Sequence, residues 1–194
     1  MNSAKFSKAL ALFDAANNLD PNEELSDGQL YPKELLYAMR MSDRRDQFAP
    51  DASEALKLTV RCQHICRWEI PRSSYEMNRV GYLKWRKELK DFHVKKATTI
   101  LTEVGYHKEM IAKVAALLLK KNLKKNAETQ TLEDVVCLVF LEFYLTKFSE
   151  KYAEVKLIEI IQKTWKKMSI GGHKVALELE LPYKTNALIR KALD

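Results

Sequence analysis

Apolar residues recur three and four positions apart through most of the chain, the spacing that puts them on one side of an α-helix. Phe6, Ala9, Leu10 and Phe13 predict a first helix over 3–18. The next segment, NNLDPNEELSDGQLYP, gathers Asn, Asp, Pro and Gly and predicts a long loop. Pro32 suits a first helical turn, so PKELLYAMRMSDR predicts a second helix. FAPDASEALKLTVRCQHICRW predicts a third over 52–69, capped by Asp51 or Ser53 and ended ahead of Pro71. A long helix follows over 79–104, with Tyr82, Trp85, Leu89 and Phe92 near one stripe and Gly105 as its C-cap. Another covers 107–121, and KKNLKKNAETQT then reads as a polar connection. LEDVVCLVFLEFYLTKF, over 132–148, is apolar almost all round and predicts a buried central helix. The helix over 152–168 is amphipathic again. Ser169 caps a short helix that Pro182 breaks, and a last one covers 184–193. The pattern predicts an all-α fold, a single compact domain of about eight helices. Within it, 1–50 holds N-terminal helices and a long loop, 51–168 the helical core, and 169–194 short C-terminal helices.

Composition supports one substantial core, since 46% of the 194 residues are hydrophobic. Lys and Arg number 33 against 26 for Asp and Glu, a formal charge of +7, with a pI near 9.2. That balance favours an acidic small molecule such as a nucleotide, with RNA as an alternative partner. Three cysteines without a CxxC pair argue against a disulfide framework and against a zinc knuckle. Reduced thiols and a cytoplasmic location are expected. The longest apolar run, VVCLVFL, is too short to cross a bilayer, so no membrane partner is expected. GxSxG, GxGxxG, HExxH and P-loop motifs are absent.

The candidate chemistry centres on RCQHICRWEIPR, residues 61–72. On a continuous helix Arg61, His64, Ile65 and Trp68 share one face, and Cys62 and Cys66 share another. The functional reading is a pocket wall. Arg61 clamps a phosphate or carboxylate, His64 ligates a metal or moves a proton, and Trp68 stacks on a base. The bland reading makes Trp68 core and pairs Arg61 internally with Glu54, Glu133 or Asp134. His93 lies beside the stripe of the long helix, and Glu133 and Asp134 open the central one, where a helix N-terminus favours negative charge. Together His64, His93, Glu133 and Asp134 are the candidate catalytic group. His64, His93 and Asp134 are candidate ligands for a divalent ion such as Mn, Fe, Zn or Mg. Arg61, Arg67, Trp68, Arg72, Trp85, Arg86, Lys120 and Lys163 are the candidate substrate contacts. In the turn Ser169-Ile170-Gly171-Gly172, backbone amides at a helix start offer a seat for an anion.

PDASEALKLTVRCQHICRW, IPR, GYLKWR, FH, LEDVVCLVFLEFY and KTWKKMS together resemble an uncharacterised family, the DUF4202 domain, over nearly the whole length. The order of the histidines, the basic stretch and the late aspartate also resembles the HD-domain phosphohydrolases, which are all-helical and metal-dependent. That second resemblance implies His64 as the first histidine, His93 as the second and Asp134 as the late aspartate. Val94 stands where the paired aspartate belongs, so either Glu133 substitutes or the metal site is altered. Three functions follow as expectations: an HD-like phosphohydrolase acting on a nucleotide or other phosphate ester, a helical module that binds nucleotide or RNA without chemistry, and a protein-interaction scaffold.

Overall fold

The computed structural model describes residues 3–194. Among them the chain forms ten α-helices and one two-stranded antiparallel hairpin, so the protein is mostly helical. None of these helices is long and apolar enough to cross a membrane. By its contacts the chain gathers into two compact units, 1–121 and 122–194.

The first unit contains α1 (Ser3–Asn17), β1 (Glu23–Ser26), β2 (Gln29–Pro32), α2 (Lys33–Phe48), α3 (Glu54–Cys62), α4 (Arg79–Val104) and α5 (Lys108–Leu118). The hairpin corrects the expected long loop. Asp27 and Gly28 both have positive φ, 50° and 79°, as the two central residues of a type I′ turn require. Asp20 then ties the hairpin to the helix behind it. One carboxylate oxygen accepts from Asn22 N and Nδ2, and the other accepts from the backbone N–H of Glu34 in the first turn of α2.

α3 is the second correction, for it stops at Cys62 rather than 69. Ser53, not Asp51, caps it by accepting from Leu56 N. The chain then turns. Cys66 takes a left-handed φ of 51°, an arrangement that costs a non-glycine residue about 1–2 kcal/mol. Asn17 at the end of α1, almost fully buried, offsets that cost by accepting from Cys66 N at 3.0 Å. A short 3₁₀ turn, Arg67–Glu69, follows. The shared helical face of Arg61, His64, Ile65 and Trp68 therefore does not form.

α4 matches its predicted limits. Asn78 caps its start by accepting from Gly81 N, and Gly105, with φ 86°, ends it. It buries a ladder four residues apart: Gly81, Trp85, Leu89, His93, Ala97 and Leu101. Gly81 has to be glycine, because a Cβ there would lie 2.2 Å from the Glu76 carbonyl oxygen. α4 packs on α1 and α5, and α3 packs on α1, α2 and α5. Phe13, Met41, Leu58, Ile65 and Leu101 are fully enclosed in this unit, and each such side chain contributes about 1.5–3 kcal/mol by leaving water.

The second unit contains α6 (Ala127–Val139), a π-helical turn (Phe140–Tyr144), α7 (Leu145–Ser149), α8 (Glu154–Trp165), α9 (Ile170–Leu177) and α10 (Tyr183–Leu193). The central helix begins five residues earlier than predicted, capped by Asn126, which accepts from Thr129 N. Glu133 and Asp134 therefore sit about two turns inside it, not at its N-terminus. Leu132, Leu138, Leu141, Leu145 and Ile161 are fully buried here. α8 packs on α10, and α6 packs on α9.

Candidate functional site

Three elements of the first unit converge on a small polar cluster. α2 contributes Glu34 and, three residues on, Tyr37. The turn after α3 contributes His64 and Arg67, and α4 contributes His93 and Trp85. Tyr37 stacks on the His64 ring, with centroids 4.2 Å apart and planes 13° apart. The His64 and His93 rings lie 5.8 Å apart. Glu34, 5% exposed, reaches His64 Nδ1 with Oε2 at 3.4 Å and Arg67 Nη1 with Oε1 at 3.5 Å. Both contacts are long for charge-assisted hydrogen bonds.

Electrostatics set the protonation states. Burial, then the charges of Arg67, Lys120, Arg86 and Lys33, pushes the His64 imidazole well below its ordinary range. Burial and His64 do the same for His93, with Glu34 pulling the other way. Both rings are therefore neutral near pH 7. Burial raises the Glu34 carboxyl, against the pull of Arg67 and Lys33. Two buried polar atoms of this cluster, His93 Nε2 and Arg67 Nε, have no hydrogen-bond partner. Few buried polar groups in a folded protein are left in that state.

Trp85 meets the cluster through Arg67. It is 6% exposed, its Nε1–H donates to the Ile70 carbonyl at 2.9 Å, and the Arg67 guanidinium lies over its ring at 5.3 Å. Its ring is thus packed rather than offered to a base. Trp68 is half-buried in the 3₁₀ turn. Arg86 is exposed, 6.0 Å over the Tyr82 ring. Lys120 is half-buried with a left-handed φ of 54°.

Arg61 and Arg72 serve the fold. Arg61 grips Asp14 through Nε at 2.6 Å and Nη2 at 2.7 Å, and its Nη1 donates to Ser42 Oγ. The internal ion pair considered from the sequence is present with Asp14 as its acid. Arg61→Lys, which keeps the charge and loses the fork, is expected to cost about 1–2 kcal/mol in urea unfolding. Arg72 donates to the carbonyls of Tyr75, Glu76 and Asn78 and so holds the loop ahead of α4.

The remaining candidates lie in the second unit. Lys163 is exposed and pairs with Glu159 at 3.3 Å. Glu133 is buried, with Lys167 at 3.7 Å. Asp134, 2% exposed, accepts through Oδ1 from Ser169 N at 2.7 Å and Gln130 Nε2 at 3.2 Å. The anion seat expected at the Ser169 turn is therefore taken by the protein's own carboxylate. Cys62, Cys66 and Cys137 are buried free thiols, and burial raises Cys62 and, to about 11, Cys66. Among the described residues no group of three or more His, Cys, Asp or Glu side chains that could hold a metal ion is found.

Glu34 is the cluster residue that the sequence pattern missed. In PKELL it reads as an ordinary first-turn acid. Only the packing of α2 on α3 buries it against His64. A surface hollow of about 600 Å³, lined by residues including Ile70, Tyr75, Gly81 and Lys84, lies in the same unit and is lined by none of the cluster residues.

No curated protein and no solved structure matches the chain. A family model described as Domain of unknown function (DUF4202) matches residues 7–189. That range takes in Glu34, His64, Arg67 and His93 together with the capping and turn residues that place them, and the chain belongs to the DUF4202 family.

Proposed function

We propose that the first unit binds a phosphate ester, a nucleotide or a chemically similar small molecule, at the Glu34–His64–Arg67–His93 cluster and acts on it as a metal-dependent phosphohydrolase. The observation that carries this reading is the pair of buried, unpartnered polar atoms, Arg67 Nε and His93 Nε2, set beside a carboxylate held only by long contacts. Such groups are costly to bury unless something completes their bonding. Arg67, Arg86, Lys33 and Lys120, whose charges all bear on His64, supply the positive potential a phosphoryl group requires.

Imidazole and carboxylate are the ligand types a divalent ion takes. Two neutral imidazoles are the form a metal takes, and His93 Nε2 has no competing bond. When bound, such an ion supplies an activated water near neutral pH and withdraws charge from phosphoryl oxygens. The chain's own residues do the rest. Arg67 and Arg86 orient the phosphoryl group, Trp85 fixes the Arg67 plane, and Tyr37 fixes the His64 ring. Val94, in the place of an HD-domain aspartate, favours a second reading in which the cluster binds its ligand without turnover.

The test is isothermal titration of a nucleotide panel, paired with a phosphate-release assay in manganese. Binding is expected to weaken steeply with salt. Arg86→Gln and Arg67→Gln are each expected to lower affinity about 10-fold or more, the loss of one charge-assisted hydrogen bond. Binding without phosphate release would select the second reading. Absence of binding to any phosphate ester would overturn both.

A further inference from the structure

We propose that the ligand of this cluster is a nucleotide whose base stacks on Tyr82, and that Arg86 leaves the tyrosine ring for the phosphoryl group as the base arrives. This names the substrate class of the phosphate-ester reading and rests on that reading.

The first observation is how the neighbouring rings are covered. Tyr37 and Trp85 are buried, and each already carries a partner, His64 on Tyr37 and Arg67 on Trp85. Phe92, beside His93, has Lys96 over its ring at 5.3 Å, and Glu69 fixes that lysine at 2.7 Å. Tyr82 differs. It is 44% exposed, and its cover is the Arg86 guanidinium, 6.0 Å from the ring centroid, at the outer limit of a cation–π contact. Among the described residues no acid pairs with Arg86 to hold it there. Stacking a base on an aromatic ring is worth more than a cation–π contact at an exposed site, so the base wins the ring.

The second observation is position. Arg86 and His93 follow Tyr82 and Arg86 by four and seven residues on α4, about one turn and two turns, which sets the three along one side of the helix. The Arg86 charge already acts on His64 and His93, so a phosphoryl group bound at the cluster attracts it in turn. The Trp85 indole joins the two ends of the site. Its ring lies 5.9 Å from the Tyr82 ring and 5.3 Å from the Arg67 guanidinium, and these two legs bound the distance from tyrosine to arginine. A nucleotide covers such a distance between its base and its phosphoryl groups. The Arg67 side chain is 33% exposed, so a phosphoryl group meets it without opening the core. Trp85 is itself fixed by its bond to the Ile70 carbonyl. Its support limits the side-chain freedom that stacking on Tyr82 would cost.

The experiment is calorimetric titration of the full chain with adenosine monophosphate and with ribose 5-phosphate, which carry the same phosphate and differ by the adenine. The parent protein, Tyr82→Ala and Tyr82→Phe are compared. The parent is expected to bind the nucleotide about 10-fold more tightly than the sugar phosphate. Tyr82→Ala is expected to erase that preference, and Tyr82→Phe to keep it. Ribose 5-phosphate should bind all three proteins equally, which also reports that the variants are folded. In proton NMR the adenine ring protons should shift upfield on binding to the parent and not on binding to Tyr82→Ala. Equal affinity of the parent for the two ligands would overturn the base seat and leave the phosphate-ester reading standing. A nucleotide preference that survives Tyr82→Ala would overturn the assignment to Tyr82. If neither ligand binds, the phosphate-ester reading falls and the base seat falls with it.

Discussion

Trp85→Ala is expected to remove about 3–5 kcal/mol of stability, the usual cost of emptying a tryptophan site in a packed interior. The indole is 6% exposed, it carries the Arg67 guanidinium on its face, and its N–H satisfies the Ile70 carbonyl. Trp85→Phe keeps most of the buried area and loses that hydrogen bond, so its cost is about 1–2 kcal/mol. Urea unfolding followed by circular dichroism separates the two variants. The phenylalanine protein, which still folds, is the one to carry into the nucleotide titration. If Trp85 were a stacking platform for a base, the alanine protein would be nearly as stable as the parent and defective only in binding.

Asp134→Ala is expected to cost about 2–4 kcal/mol, because it strands a buried donor rather than trimming a surface charge. Its carboxylate receives the Ser169 N–H at the start of α9. Gly172 in the first turn of that helix approaches so closely that a Cβ would lie 2.7 Å from Oδ1 and 2.9 Å from Cγ of Asp134. A double-mutant cycle therefore has a definite sign. Gly172→Ala is destabilising by itself, through the clash. Combined with Asp134→Ala the clash is gone, so the pair should cost less than the sum of the singles by about 1–2 kcal/mol. Strict additivity would show that the two residues do not press on each other.

Much of the helical framework was legible in the sequence, and the reasons are local. The α4 ladder repeats every four residues from Gly81 to Leu101 and ends on a glycine with positive φ, so pattern and cap agree. The hairpin carried a signal as well: Asp27-Gly28 between Leu25 and Leu30 is a two-residue turn signature. The clustered polar letters around it resembled a loop instead. The apolar spacing of LTVRCQHIC runs on past the Cys62 end of α3. What ends the helix is the left-handed Cys66, held by Asn17 at a separation of 49 residues, and no spacing rule encodes that. AETQT reads as a polar linker, yet Asn126 ahead of it caps α6.

The polar cluster was legible in half. His64, His93 and Arg67 could be named because their residue types carry chemistry wherever they fall. Their partner could not. Glu34 lies 30 positions before His64 on another helix, and its role comes from burial. The same logic separated the two arginines. Arg61 and Arg67 look equivalent in the sequence, yet one has a bidentate acid at 2.6 and 2.7 Å and the other has a buried nitrogen without a partner.

The π-helical turn at Phe140–Tyr144 gives the chain one residue of slack in the second unit. A wide turn holds one residue more than an α-turn of the same span, whereas in a regular α-helix each residue advances the side-chain direction by about 100°. Deleting one residue from FLEFY would let the α ladder close over the same span and leave everything after it facing as before. Leu145, fully buried, would stay in the core, and Thr146 would keep the Thr185 hydroxyl it meets at 2.9 Å. The same deletion inside α6, where no wide turn absorbs it, would turn the residues that follow by about 100°.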